Sequence, residues 1–180
     1  MNKNKDEELI KKIRNIALLL CDVDGVLTDG RIIMDNRGNE SKHFNVRDGH
    51  GLKMLIRYGI GVALLTGRES AVVAHRARDI GITEVYQGIK NKGAFVEEYI
   101  QKNKVKGERI AYVGDDIVDV PVFRLVGFSA AVADASEHVK AAADYVTHLK
   151  GGMGAVRELC ELILMAQNKW DAVVTRYQIN

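Results

Sequence analysis

Asp22 and Asp24 stand two residues apart in Asp22-Val-Asp-Gly-Val-Leu-Thr-Asp29, directly after the apolar run Ile16-Ala-Leu-Leu-Leu-Cys21. Carboxylates at the end of a buried strand are costly unless they are paired, hydrogen-bonded or bound to metal. A second acidic set, Gly114-Asp-Asp-Ile-Val-Asp119, follows another apolar run. If those two strands are neighbours, Asp22, Asp24 and Asp115 converge. Three carboxylates without a local base call for a hard cation with oxygen ligands, and Mg²⁺ fits best. Plainer alternatives are local: Asp22 caps its own loop, Asp24 forms an Asx turn, and Asp116 and Asp119 favour a helix N-terminus. Asp116 could equally steady a ligand from outside. Thr66-Gly67-Arg68 follows the run ending in Leu65. A hydroxyl and backbone amides at a helix start make a phosphate cradle, although Thr-Gly turns are common on their own. Lys92, in Lys90-Asn-Lys-Gly93, offers an ammonium that can neutralise a phosphate and a carboxylate together. Alone, it reads as well as a solvated lysine at a helix start.

The elements that must position these groups are short. Ile16–Cys21, 61–65 and 109–113 are continuous apolar runs, with weaker ones at 83–86, 128–132 and 144–147. Unbroken apolar strands point to a parallel sheet covered on both faces. Helical stripes lie between them: Leu52, Leu55 and Ile56; Val73, Ala77 and Ile80; Phe95 with Tyr99 and Val96 with Ile100; Val156, Leu159, Cys160 and Ile163. The alternation predicts an α/β fold with a doubly wound, Rossmann-like parallel sheet. Ligands in such folds sit beyond the carboxyl ends of the strands, where all four acidic and polar groups fall. One stretch breaks the alternation. Asp35-Asn-Arg-Gly38 is a turn signal, and about 30–44 reads as an inserted β-hairpin standing over the strand ends as a flap.

The order acid pair, Thr, Lys, acid pair resembles the four motifs of the haloacid dehalogenase superfamily of phosphatases. It does so through Asp22-Val-Asp-Gly-Val, Thr66, Lys92 and Gly114-Asp-Asp-Ile-Val-Asp119. Three further segments, Val46-Arg-Asp-Gly-His-Gly-Leu52, Val132-Ala-Asp-Ala-Ser136 and Gly151-Gly-Met-Gly-Ala-Val-Arg-Glu158, are similar to its 3-deoxy-D-manno-octulosonate 8-phosphate phosphatase family. That likeness runs from about residue 16 to about 169. It implies a Mg²⁺-dependent homotetramer of lipopolysaccharide precursor synthesis. In this implied reading Asp22 is the nucleophile and Asp24 the general acid and base, with Thr66 and Lys92 on the phosphoryl oxygens. The ion is held by the Asp22 and Asp115 carboxylates and the Asp24 backbone carbonyl. No gap between motifs is long enough for a large cap domain, so a neighbouring subunit's hairpin would close the site.

The substrate so implied is a small sugar acid phosphate. Arg68 could take its carboxylate bidentately, and Arg76 is a second candidate or a surface helix arginine. The Arg47–Gly51 segment reads as a loop with glycines for close approach, or as a helix-start turn capped by Asp48. Nine-carbon sugar acid phosphates and a non-catalytic oligomerisation module remain as alternatives. Residues 1–15 form a charged N-terminal extension, 16–169 the phosphatase domain and 170–180 a tail that covers a neighbour's site or frays. The 26 basic and 24 acidic residues give no electrostatic reason for a nucleic acid partner. No apolar run approaches the roughly 18 residues of a membrane span. The expected location is the cytoplasm, with Cys21 and Cys160 as buried thiols.

Overall fold

The computed structural model describes residues 3–179. Six short strands form one parallel sheet: β1 (Leu18–Cys21), β4 (Gly61–Leu65), β5 (Glu84–Tyr86), β6 (Ile110–Gly114), β7 (Phe128–Ala131) and β8 (Tyr145–Val146). The spatial order is β5-β4-β1-β6-β7-β8. The chain moves outward from β1 through β4 to β5, then returns to β6 on the other side of β1. Strand order therefore reverses beside β1, and the crevice opens there. Register aligns Cys21 with both Leu64 and Val113, so the residues that follow β1, β4 and β6 leave the sheet side by side. Leu19, Leu20, Cys21, Leu65, Val113 and Ala130 are fully buried, as a sheet covered on both faces demands.

On one face lie α1 (Lys3–Arg14), α2 (Val46–Arg57), α3 (Ala71–Ile80) and α7 (Ala155–Ala166), packed α3–α2–α7–α1. On the other lie α4 (Lys92–Asn103), α5 (Val120–Phe123) and α6 (Glu137–Ala142). The Val156, Leu159, Cys160 and Ile163 stripe is completely buried against α2. The expected α2 stripe is only partly right. Leu52 and Leu55 are buried, but Ile56 is exposed and Met54 is buried in its place. The helix is wedged between β4 and α7, so its buried arc is rotated toward Met54. Gly49 and Gly51 lie inside α2, not in a loop. Asn45 is its N-cap, accepting from the Arg47 N–H at 2.8 Å, and Asp48 is free for another task.

The interruption after β1 is a hairpin of β2 (Ile33–Met34) and β3 (Glu40–Ser41), paired antiparallel. Asp35 closes its turn by accepting from the Arg37 and Asn39 N–H groups, and Gly38 takes the positive φ of 81° that the turn requires. There is no large cap domain among the described residues. The chain ends with α8 (Trp170–Tyr177), which is ordered on its own subunit. Val173 is buried, the Tyr58 hydroxyl donates to the Ala172 carbonyl, and the Arg57 guanidinium donates to the Tyr177 hydroxyl.

Candidate active site

Each strand end delivers one group to the crevice. Asp22 follows β1 and is almost fully buried. Its Oδ1 accepts from the Val23 N–H at 2.7 Å, and its Oδ2 lies 2.7 Å from Lys92 Nζ. Lys92 opens α4, whose N-cap Asn91 accepts from the Ala94 N–H. The Lys92 ammonium bridges Asp22 and, at 2.6 Å, Asp119 Oδ1. Burial works against that ammonium, but Asp22 and Asp119 outweigh it and hold its pKa above the ordinary lysine value. Burial acts in the opposite sense on Asp22. Against the pull of Lys92, and with Asp119 nearby, its carboxyl is raised to about 6.

Asp119 is fully buried and saturated with donors. Oδ1 accepts from Lys92 and from the Tyr112 hydroxyl, each at 2.6 Å. Oδ2 accepts from the Asp115 and Asp116 N–H groups at 2.9 and 3.1 Å. Asp115 sits across from Asp22. Burial first, then the charges of Asp22 and Asp119, push its pKa to about 8. Oxygens of Asp22, Asp115 and Asp119 come within 4.8 Å of one another. Because all four Asp119 bonds are committed inside the protein, the carboxylates that face the crevice are Asp22 and Asp115. Two crowded carboxylates, both raised by burial and then by neighbouring like charge, fit a divalent cation. Gly25, at φ 86°, lets Asp115 approach the β1 loop: a Cβ there would lie 2.0 Å from Asp115 Oδ2.

Thr66 is buried at the end of β4, its backbone locked by the Tyr86 carbonyl and the Ile89 N–H. Its hydroxyl accepts from the Arg68 N–H at 3.4 Å. Asp22, Asp24, Thr66, Arg68, Lys92 and Asp115 all line one open cleft of about 340 Å³. The Asp24 carboxylate meets Lys42 of the hairpin, with Arg68 Nε at 3.9 Å. The chain's own hairpin therefore reaches its own site.

The sequence model of the haloacid dehalogenase-like hydrolases matches residues 79–158. The 3-deoxy-D-manno-octulosonate 8-phosphate phosphatase of Yersinia pestis is 49% identical over 165 residues, 92% of this chain and 88% of the relative. The chain belongs to the 3-deoxy-D-manno-octulosonate 8-phosphate phosphatase family. The Escherichia coli K12 member is 49% identical, over 91% of this chain and 87% of its own. The crystal structure of the Yersinia pestis enzyme superposes with a TM-score of 0.89 at 48% identity, covering 92% and 89% of the two chains. That of the Moraxella catarrhalis enzyme, in complex with magnesium, phosphate and KDO, superposes at 0.92 with 42% identity, covering 95% and 98%.

Against this phosphatase family frame, two expectations change. Arg76 is not brought to the cleft. It pairs with Asp79 at 2.6 Å, lies over the Phe44 ring and nests against Gly49, because α3 carries it away from the strand ends. Asp119 stands at the start of α5, as a helix N-terminal acid would, but it is fully buried as a counter-charge to Lys92. Asp116 is the residue that caps the short turn Ile117–Asp119. Sequence reasoning missed Tyr112, Lys42, Glu40 and Ser70. Tyr112 had a signal, as the lone hydroxyl in a strand otherwise apolar. The hairpin residues had none, since their partners depend on how the flap folds back.

Proposed function

We propose that the chain hydrolyses 3-deoxy-D-manno-octulosonate 8-phosphate to the free eight-carbon sugar acid and inorganic phosphate. It is a Mg²⁺-dependent phosphoric monoester hydrolase, and the observation that carries the assignment of roles is the Asp22–Lys92–Asp119 array facing Asp115 across one cleft. The Asp22 and Asp115 carboxylates and the Asp24 backbone carbonyl would hold Mg²⁺, which would supply positive charge against the repulsion between a carboxylate nucleophile and a phosphate dianion. The Asp22 carboxylate attacks phosphorus, the bond to the ester oxygen breaks, and an aspartyl-phosphate forms. Asp24 gives the departing oxygen its proton, then takes one from the water that cleaves the intermediate. Lys92 and the Thr66 hydroxyl hold the phosphoryl oxygens, while Asp119 fixes Lys92. Arg68, on the cleft rim, reaches the sugar acid's carboxylate.

We read residues 16–169 as the catalytic domain, with the N-terminal helix and the 170–180 tail as packed additions. Exposed Ile32 and Met34 on the hairpin support assembly with further copies, read here as a homotetramer with the site near a subunit contact. Two free, buried cysteines suit a cytoplasmic enzyme. Among the described residues no helix is long and apolar enough to cross a membrane. The test is phosphate release with Mg²⁺ from the eight-carbon sugar acid phosphate, two nine-carbon ones and an aryl phosphate, by wild type and Asp22→Asn. Preference for the eight-carbon substrate, abolished in the variant, is expected. Equal rates across the panel would remove the substrate assignment and leave the phosphatase.

A further inference from the structure

The hairpin brings a carboxylate of its own to the cleft rim. Glu40 Oε1 is 3.2 Å from Lys42 Nζ and accepts from Arg68 at 3.1 Å, and its Oε2 accepts from the Ser70 hydroxyl. Ser70 is the N-cap residue of α3, so the helix start adds its own partial positive charge. Three donors thus converge on one carboxylate group. The Lys42 side chain is only 1% exposed, although it is a lysine on a small surface hairpin. Burying that ammonium is costly unless acidic groups meet it, and it has Glu40 and Asp24.

The other cations at the cleft are committed. Lys92 is held between Asp22 and Asp119, and Lys90 donates to the Gly67 carbonyl at 2.8 Å. A sugar acid phosphate brings a carboxylate as a second anion besides its phosphate. Lys42 and Arg68 also flank Asp24, so the Glu40 position adjoins the reacting end of the cleft. A hairpin of two-residue strands is weakly self-supporting, so its side chains can exchange partners at little cost.

Resting on the substrate reading above, we infer that Lys42, Arg68 and Ser70 form a carboxylate-recognition site, which Glu40 fills until the substrate's carboxylate displaces it. Selectivity for acidic sugar phosphates follows. A neutral sugar phosphate has nothing with which to replace Glu40, whereas an acidic one exchanges like for like. Glu40 is then a built-in competitor that sets the affinity for the acid.

The test is calorimetric titration of the free eight-carbon sugar acid, with a neutral hexose as control, into wild type, Glu40→Gln and Arg68→Gln, with Mg²⁺ and inorganic phosphate present. Removing the competing charge is expected to tighten acid binding about tenfold in Glu40→Gln, and Arg68→Gln to weaken it about tenfold. The hexose should show no such change. Acid affinity that is unchanged or weaker in Glu40→Gln overturns the inference. So does an equal gain for the hexose, which would mean that the hairpin had merely loosened. The Arg68 side chain is 44% exposed and lies outside the core, so its variant reads out binding even if the hairpin variant folds poorly. Phosphate release from the panel tests the substrate reading separately. Wild type that ignores the eight-carbon phosphate fails that reading, whereas the Kd shifts decide this one.

Discussion

Burial first, then the like charges of Asp22, Asp119 and Asp116, oppose ionisation of Asp115, and the Lys92 ammonium offsets them only in part. Its pKa of about 8 and that of about 6 at Asp22 both lie above the ordinary 3.8, so the metal-free folded protein holds protons that the unfolded chain releases. Their contribution to stability is full below about pH 4 and is lost as pH rises through about 6 and then about 8. Melting of metal-free protein should therefore move to lower temperature between pH 5 and pH 8.5. Added Mg²⁺ should restore it most at the alkaline end, because it then competes with fewer protons. A calorimetric scan at both pH values, with Mg²⁺ and with chelator, checks this. A Mg²⁺ effect independent of pH would argue against a cation at Asp22 and Asp115. Lys92 carries the matching prediction. Replacing it with Met leaves Asp22 and Asp119 facing each other without their shared cation. The expected loss is about 3–5 kcal/mol at neutral pH, read by urea denaturation, together with loss of turnover. Tyr112→Phe removes one of four donors to Asp119 and should cost about 2 kcal/mol by the same measurement.

Asp48 links two elements that are distant in sequence. Buried in the first turn of α2, it accepts from the Gly154 and Arg157 N–H groups and so caps α7 from outside. The Gly151–Gly154 segment that it anchors lies against the back of the β1 loop. Gly152 N–H donates to the Val26 carbonyl at 2.8 Å, and a Cβ on Gly151 would fall 1.7 Å from the Gly25 carbonyl oxygen. Gly151→Ala must displace backbone next to Asp24, and a shift of about 1 Å can lower kcat about 100-fold. Asp48→Ala should lower stability by about 1 kcal/mol through the lost cap. Steady-state kinetics and thermal melting of the two variants separate these effects. An alanine at 151 with normal kcat would show that the loop tolerates the shift. This link marks the limit of what the sequence made legible. The strands were readable because each is an unbroken apolar run, and the strand-end groups because chemistry and topology agree on where they belong. Residues 47–51 read equally as a loop or as a helix-start turn because the purpose of Gly49 and Gly51 is tertiary: they let Arg76 and Arg157 pack against α2. Arg76 likewise carries no local mark of which way α3 points it. Asp119 was ambiguous for the same reason, since a helix-start acid and a buried counter-ion look alike until Lys92 and Tyr112 are beside it.

The whole subunit is closed on one side and open on the other. At the closed end, α8 folds back onto α2 with Val173 buried, and Tyr177 receives a hydrogen bond from Arg57, so the tail covers its own chain. At the open end, Ile32 and Met34 are 57% and 58% exposed on a hairpin whose strands, among the described residues, pair with no strand but each other. Val46 and Met153, 77% and 58% exposed, flank a broad cavity of about 720 Å³ between the start of α2 and the glycine segment. Apolar side chains on an unpaired strand edge are an association surface unless charge or a covering element blocks them. The hairpin also carries Lys42 and Glu40 to the cleft, so covering its outer face would steady the charges on its inner one. Assembly and activity should then fail together. Ile32→Lys with Met34→Lys, placed on the exposed face, should shift the sedimentation velocity from an oligomer to a monomer near 20.0 kDa. The same variant should lose turnover of the sugar acid phosphate without a large change in helix content. Full assembly in the double variant would assign the hairpin face to solvent, and monomers with wild-type turnover would show that each subunit holds its flap unaided.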